Sequence, residues 1–267
     1  MVKKKAITNT RTMRKTKKRN FISENYYESW RYLKDSKNFI FGIIGVFLVF
    51  TLMGFLFPVF FAEEVLKLIR ELISLTEGMN GFEITVYIFF NNLKASFIGL
   101  FTGIFFGIVP LFNAILNGYV IGFVSNLVVG EVGFGSLWRL VPHGIFELPA
   151  LFISLGLGIR FGVEFFRKVN DKVRLIVFYF LLFLLFSVSF FVMNLFDILG
   201  FLRYLLFLFS IILLSFAIYA CSFIFNKKDR MIFHFLYFKN LRVFVFIVVP
   251  LLILAAIIEG SLITFFP

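Results

Sequence analysis

Reactive and ionisable side chains are scarce in this sequence of 267 residues. It has one cysteine, Cys221, two histidines, and 15 Asp and Glu against 27 Lys and Arg. A single cysteine cannot form a disulfide within the chain, so cysteine usage does not indicate a redox compartment. The GxSxG motif of serine hydrolases and the HExxH motif of zinc peptidases are both missing from the sequence. These absences argue against the commonest hydrolytic sites.

Apolar side chains dominate instead. Hydrophobic residues make up 60% of the chain, 44 positions are phenylalanine, and the mean hydropathy is +0.96. They form repeated runs of about 18 residues or more, the length that an α-helix needs to cross a bilayer. The runs are continuous rather than alternating, which excludes a transmembrane β-barrel. We therefore predict an all-α polytopic bundle with about seven transmembrane helices, at residues 39–61, 84–109, 111–129, 142–165, 174–196, 202–225 and 242–264.

Charge is distributed unevenly among the segments that connect these spans. Residues 1–38 hold twelve Lys and Arg against three acidic residues, and the predicted loops 167–174 and 226–242 are also basic. The alternate segments, including 62–83 and 130–141, carry few basic residues. Because basic segments tend to stay in the cytoplasm, this pattern predicts an N-terminus inside and a C-terminus outside.

The chain divides into two regions. Residues 1–38 are predicted to form a basic cytoplasmic tail, and residues 39–267 a single transmembrane domain. Within that domain we expect a core made by the spans in 84–165 and 242–264, and a peripheral hairpin at 174–225. A basic tail can bind nucleic acid. This tail leads directly into a span, so we expect it to set topology and attract anionic lipid, with nucleic acid not a partner.

Residues 62–80 follow a different pattern from the spans. Val65, Leu68, Ile69 and Leu72 recur at helical spacing, and charged residues occupy the opposite side. This pattern predicts an amphipathic helix on the outer membrane surface. Two roles stay open for it: a docking helix for a partner, or a lid packed on the protein's own spans.

Glycine is concentrated in one part of the chain, because residues 95–162 hold twelve of the 19 glycines. Small residues at every fourth position form a flat stripe on a helix, and helices in lipid use such stripes for close contact. We therefore expect spans two, three and four to pack closely. The glycines that we assign to this packing are Gly99, Gly103, Gly107, Gly118 and Gly122.

A few polar residues interrupt the apolar runs, where a charged side chain costs on the order of 3 kcal/mol. The rise of about 1.5 Å per helical residue places several of them at one depth in the outer leaflet. His143 and Glu147 are four residues apart, so they share one face of span four, just before Pro149. The predicted intramembrane polar cluster consists of Asn91, Asn92, Lys94, Asn126, His143, Glu147 and Glu259.

Three interpretations of this cluster compete. A metal site needs about three protein ligands, which His143, Glu147 and Glu259 together would supply. A hydrolytic site needs a nucleophile within reach of a base, and the sequence offers no such pair here. The third interpretation is a buried network that locks the bundle or lines a small polar cavity, with Lys94 as the counter-charge. We favour the third, and predict no cofactor.

Three segments of the sequence resemble the stage II sporulation protein M family: LNGYVIG at 116–122, PHGIFELPALFISLGLGIRFG at 142–162 and IIEG at 257–260. The resemblance covers roughly residues 25–165 and 240–267. The intervening segment, 170–240, departs from the shorter five-span bacterial pattern. In spore-forming bacteria the family member is a membrane scaffold that recruits peptidoglycan-degrading enzymes to the septum.

The resemblance implies a non-enzymatic protein of the cell membrane that acts as a scaffold or recruits partners. The expected partners are the lipid bilayer and other membrane or cell-envelope proteins, with self-association as a further alternative. A transporter or channel for a small solute or ion, with the polar cluster as its site, is the second hypothesis. A metal-dependent intramembrane hydrolase is the third.

Overall fold

The computed structural model describes residues 20–105, 107–135, 137, 141–171, 173–175, 178–179, 182 and 227–265. All regular secondary structure in these residues is helical. A 3₁₀ turn at Thr102–Ile104 extends α4, and a π-helical turn at Phe244–Val248 joins α7 to α8. The helices are α1 (Phe21–Asp35), α2 (Lys37–Leu56), α3 (Ala62–Thr76), α4 (Gly81–Phe101), α5 (Ile108–Val132), α6 (Val141–Lys168), α7 (Lys227–Val243) and α8 (Val249–Phe265).

Five helical segments in the described part of the chain are long and apolar enough to cross a membrane. They coincide with the predicted spans one to four and span seven. The predicted spans at 174–196 and 202–225 lie largely outside the described residues, so the count of seven stays a prediction. The five segments are Lys37–Leu56, Gly81–Ile104, Ile108–Val132, Gly144–Lys168 and Lys227–Glu259.

Two segments predicted as tail or loop are helical in the structure. Residues Phe21–Asp35 form α1, which packs against α7 and the π turn, and Tyr32 is buried in the central core. The segment 226–242, predicted as a loop, is almost entirely α7. The π turn that follows has a local cause. Pro250 has no N–H to donate to the carbonyl of Phe246, so the regular hydrogen-bond ladder cannot continue.

Helix α6 lies at the centre of the bundle, in contact with α2, α4, α5, α7 and α8. Leu157 joins a cluster with Leu100 of α4 and Leu252 of α8, while Leu155 joins a second cluster with Ile43 of α2. The first span therefore belongs to the packed bundle together with the predicted core spans. Full burial of a leucine side chain contributes about 1.5–3 kcal/mol, so these clusters are a large part of what holds the helices together.

The glycines bring helix backbones into contact, but in two separate pairs. A Cβ on Gly103 would overlap the carbonyl of Gly158, and a Cβ on Gly99 would overlap Leu155, so this stripe faces α6. Gly118 and Gly122 lie against the α2 backbone instead of against α4 or α6. We expected spans two, three and four to pack closely. Spans two and four meet through their glycines, whereas Gly118 and Gly122 of span three, α5, face α2.

The turn between α4 and α5 is formed by Gly107, the residue before α5. Gly107 has a φ of +71°, in the left-handed region that glycine adopts without a steric penalty. Pro110 is the third residue of α5, within the first turn, where its missing N–H leaves no hydrogen bond unmade.

The amphipathic segment predicted at 62–80 forms α3, which ends at Thr76. Val65 is 7% exposed and packs with Ile69 against Tyr119 and Phe123 of α5. After α3 the chain turns at Asn80 and enters α4 through a capping box, in which the Asn80 side chain and the Glu83 backbone N–H pair at 3.0 Å.

Candidate functional site

A polar cavity lies where α3, α4, α6 and α8 meet. Its volume is about 320 Å³. We refer to it as the α3 cavity, and to this end of the bundle as the α3 end. The cavity is lined by Leu72, Ile73 and Thr76 of α3, Tyr87, Ile88, Asn91 and Asn92 of α4, Glu147 of α6 and Glu259 of α8.

Each carboxyl and carboxamide that lines the cavity is positioned by a helix that belongs to the core. Asn91 and Asn92 lie between two and three turns into α4, whose start is fixed by the Asn80 capping box. Glu147 lies two residues before Pro149, which removes one backbone hydrogen bond from α6 at this level. Glu259 is only 7% exposed, although it carries a carboxyl group. Three spans that are far apart in sequence thus bring two carboxyls and two carboxamides to one cavity.

The arrangement is suited to binding a cation or a solute rich in hydrogen-bond donors. Carboxylate and carboxamide oxygens are hard acceptors, and a carboxamide also donates through its NH₂ group. Leu72 and Ile73 of α3 add apolar surface to the lining. Glu259 is the most buried of the polar groups, so a charged ligand would interact with its carboxylate more strongly than it would in water.

The structure brings together four of the seven residues predicted as the polar cluster: Asn91, Asn92, Glu147 and Glu259. Lys94 does not line the cavity; its side chain is exposed and forms no ion pair within the described residues. Lys94 lies on the same face of α4 as the lining residue Tyr87 but about 10 Å further along the helix, beyond the cavity.

Asn126 has a structural role at the end of α2. Its Nδ2 donates to the carbonyl of Phe55 at 2.9 Å, in the last turn of α2, where carbonyls have no partner within the helix. His143 lies in the first turn of α6, and its side chain is outside the described part of the structure. The three-ligand metal set therefore stays untested. Among the described residues, no group of three or more His, Cys, Asp or Glu side chains could hold a metal ion.

Sequence inspection missed a second polar cluster at the opposite end of the bundle, which we call the α1 end. Arg160 of α6 donates to the Tyr32 carbonyl at 3.0 Å and to Ser36 Oγ at 2.6 Å, and pairs with Glu164 at 2.5 Å. Lys168 pairs with the same carboxylate at 2.9 Å. The signal was present in the sequence, because Arg160, Glu164 and Lys168 follow one another at four-residue spacing on one helix face.

Comparison with known proteins identifies the family. Residues 43–202, more than half of the chain, match the family described as Stage II sporulation protein M. The chain is also 33% identical over 84 residues to an uncharacterized protein of Methanocaldococcus jannaschii. That match covers 31% of this chain and 47% of the relative, so the chain spans about half the length of the relative. No solved structure matches the chain. The matched range includes Gly103 and Gly158, which form the contact between α4 and α6, and also Glu147. The chain therefore belongs to the Stage II sporulation protein M family.

Proposed function

We propose that this protein is a multi-pass protein of the cell membrane that recruits partner proteins and has no catalytic activity of its own. The observation that carries the proposal is the way in which α3 is held at the surface. In the orientation expected from the charge distribution, with the N-terminus inside, α3 faces the outside of the cell. The family match is consistent with a membrane protein.

The segment that leads into α3 is tied to α5 by side-chain hydrogen bonds, and α3 itself contacts α5 through apolar side chains. Tyr119 donates through its hydroxyl to the carbonyls of Phe57, at 3.0 Å, and Phe60, in the segment that leads into α3. Asn126 donates to the Phe55 carbonyl just before that segment. The entry to α3 is tied to α5 and Val65 is buried, whereas most of the other α3 side chains are exposed. This arrangement holds the start of α3 at the bundle and leaves most of its surface available to a partner.

The remaining surface of α3 is suited to a protein partner. Leu66, Leu68 and Leu75 are exposed, and none of them belongs to the buried cluster that seats α3. Acidic residues outnumber basic ones on the helix, with Glu63, Glu64 and Glu71 against Lys67 and Arg70. An acidic excess opposes binding to an anionic lipid surface. It favours a partner segment that carries apolar side chains with basic residues beside them.

Photo-crosslinking in the native host tests this role. A photoreactive residue at Leu68 is expected to give a protein adduct of discrete mass, and the adduct should be lost when Leu75→Glu is added. The matched control position is Leu48, which is exposed on α2 and should give no such adduct. An adduct of twice the chain mass would identify the partner as a second copy. Equal labelling at positions 68 and 48 would contradict the proposal.

A second candidate function rests on the α3 cavity itself. Two carboxyls and two carboxamides around about 320 Å³ of space favour binding of a small cation or polar solute, and a bundle of this kind can carry such a solute across the membrane. Reconstitution into liposomes tests the idea through flux of monovalent and divalent cations. Glu147→Gln and Glu259→Gln should each abolish flux, whereas Glu131→Gln, at an exposed position near the end of α5, should not.

The same substitutions separate a binding role from a purely structural one. Glu147→Gln keeps the shape and hydrogen-bonding capacity of the side chain and removes the charge, so a structural network should tolerate it. Glu147→Leu leaves polar neighbours without a partner and should cost on the order of a few kcal/mol of stability. Loss of flux in Glu147→Gln at normal thermal stability would favour the transport function. No flux in the wild-type protein would exclude it.

A further inference from the structure

A second cavity of about 240 Å³ lies at the α1 end of the bundle, between α1 and α7. We refer to it as the α1–α7 cleft. It is far from the α3 cavity, and neither the family match nor the proposed function assigns it a role. The cleft is lined by Glu28, Arg31, Tyr32, Asp35, Lys239 and Arg242.

The charges in the cleft favour an anionic group. Three basic side chains face two carboxylates, which leaves one net positive charge. The Arg242–Glu28 pair is long, at 3.9 Å. Lys239 lies over the rings of Phe235 and Tyr32, at 4.3 and 5.4 Å, and forms no ion pair within the described residues. Its ammonium group therefore retains donors that a phosphate oxygen can accept.

Tyr32 lines the same cleft. The side chain is 6% exposed, and its hydroxyl has no hydrogen-bond partner among the residues that the structure describes. Burial raises the pKa of Tyr32 above its ordinary value, against an opposing effect of the Arg160 guanidinium, so the group stays a neutral O–H donor. The hydroxyl oxygen is itself buried, so Tyr32 lines the cleft as a neutral side chain and leaves the net charge of the cleft unchanged.

An apolar groove of about 400 Å³ adjoins the cleft, and Arg242 lines both. Phe21, Phe238, Val245 and Phe246 are among its other lining residues. Val245 and Phe246 belong to the π turn, where the polar part of α7 gives way to the apolar α8. The groove thus continues from the charged cleft toward the depth at which lipid chains lie.

The position of α1 places both features at a membrane surface. The first membrane-length helix begins at Lys37, directly after α1. Tyr26, Tyr27 and Trp30 of α1 are exposed, and tyrosine and tryptophan are enriched where a membrane protein meets the headgroups of the lipid. A molecule that fills cleft and groove together must have a charged end and an apolar end, and must lie at this surface.

We propose that the α1–α7 cleft binds the phosphodiester headgroup of a membrane phospholipid, with one chain of the lipid in the adjoining groove. The phosphodiester carries a single negative charge, which matches the net charge of the cleft. Lys239 and Arg242 bind the phosphate oxygens. Glu28 and Asp35 accept hydrogen bonds from the donors of the headgroup, so the site prefers glycerol or ethanolamine headgroups to choline, which has no donor.

Titration of the purified full chain with phosphatidylglycerol, followed by native mass spectrometry, tests the charged half of the site. The wild-type protein should retain one lipid in a saturable way. The double variant Lys239→Gln/Arg242→Gln should raise the apparent Kd by about tenfold or more, because two charge-assisted contacts are lost. The control Lys227→Gln/Lys228→Gln removes the same charge from exposed positions of the same helix and should bind like the wild type.

A second pair of variants tests the apolar half and does not touch the charges. Val245→Trp fills the groove and should weaken phosphatidylglycerol binding, whereas Ile253→Trp, at a similarly exposed position on α8, should not. Retention of inorganic phosphate with the affinity of the lipid would overturn the proposal, because it would assign the cleft to a free anion. Equal weakening by the two double variants, or no retained lipid in the wild-type protein, would overturn it as well.

Discussion

At the scale of single residues, Arg160 connects three elements. Its guanidinium joins α6 to the last turn of α1 and to Ser36, the residue between α1 and α2, and lies 4.1 Å from the centre of the Tyr32 ring. Arg160→Met should lower the free energy of unfolding by about 2 kcal/mol, because hydrogen bonds to a charged group are worth about 1.5–3 kcal/mol. Arg160→Lys should recover only part of this loss, since an ammonium group lacks the planar fork.

Thermal unfolding in detergent is the measurement for the Arg160 variants. The control is Asp171→Asn, which breaks the ion pair of Asp171 with Arg174 at 2.8 Å. Both side chains of that pair are largely exposed, so its loss should change stability by less than about 1 kcal/mol. If Arg160→Met were no more damaging than Asp171→Asn, the junction would not depend on the guanidinium.

The candidate site shows which residue contacts a sequence can indicate. Glu147 and Glu259 could be placed in one cavity because charged groups inside apolar helices must face other polar groups, and because helix rise fixes their depth. The depth of a side chain in the membrane is only one of two coordinates that decide its contacts; the other is its direction around the helix axis. Which neighbour a side chain meets depends on how the helices pack, so the sequence could not show that Asn126 donates to the end of α2 or that Lys94 lies beyond the cavity.

At the scale of elements, the contact between α4 and α6 depends on the absence of side chains. Gly103→Ala should destabilise the protein by about 1–3 kcal/mol, because the new Cβ would overlap the backbone of Gly158 and force the helices apart. Gly45→Ala is the matched control. No atom lies within 4 Å of its new Cβ, and alanine favours a helix interior by up to about 1 kcal/mol. Equal thermal unfolding midpoints for the two variants would show that the stripe does not carry the contact.

The attachment of α3 offers a second test at this scale. Tyr119→Phe removes the donor to Phe57 and Phe60 and keeps the ring in its cluster. We expect a loss of about 1 kcal/mol in stability. Hydrogen exchange should become faster in residues 57–61, which are held by this hydroxyl, and stay unchanged in α6. Tyr26→Phe is the control, because Tyr26 is exposed; unchanged exchange in Tyr119→Phe would argue against an anchored α3.

Helix identity was easier to predict from the sequence than helix partnership. Length and hydropathy indicated α2, α4, α5, α6 and α8, and hydrophobic periodicity indicated α3. Two elements were missed, α1 and α7, because both carry many charges and neither is a membrane-length apolar run. The pairing of α5 with α2 could not be predicted, since a glycine stripe shows that a close contact exists and does not show which backbone fills it.

At the scale of the whole molecule, the ends of α6 and α7 constrain the path of the chain between them. The backbone N–H of Asn170 donates to Asp229 Oδ1 at 3.4 Å, and Val169 and Val173 pack in one cluster with Leu236. The chain therefore leaves α6 and enters α7 at the same end of the bundle. Between these points it must cross the membrane an even number of times.

The predicted hairpin at 174–225 satisfies this condition with two crossings. A segment that does not cross the membrane at all would also satisfy it. We favour the hairpin because both arms are apolar runs long enough to span a bilayer, and burying them in lipid is more favourable than exposing them to water. Residues 183–226 lie outside the described part of the structure. The two alternatives place Asp197, which lies between the predicted arms, on opposite sides of the membrane.

Reporter fusions separate the two alternatives and test the orientation as well. Alkaline phosphatase, which is active only outside the cytoplasm, should be active when fused after Asp197 or after Pro267 and inactive when fused after Asp171. A fluorescent reporter that folds only inside should give the opposite pattern. Activity of the phosphatase at Asp171 would reverse the orientation, which rests on the basic residues of 1–38. Inactivity at Asp197 with activity at Pro267 would leave five crossings, because the parity set by the Asn170–Asp229 contact is kept while the hairpin is lost.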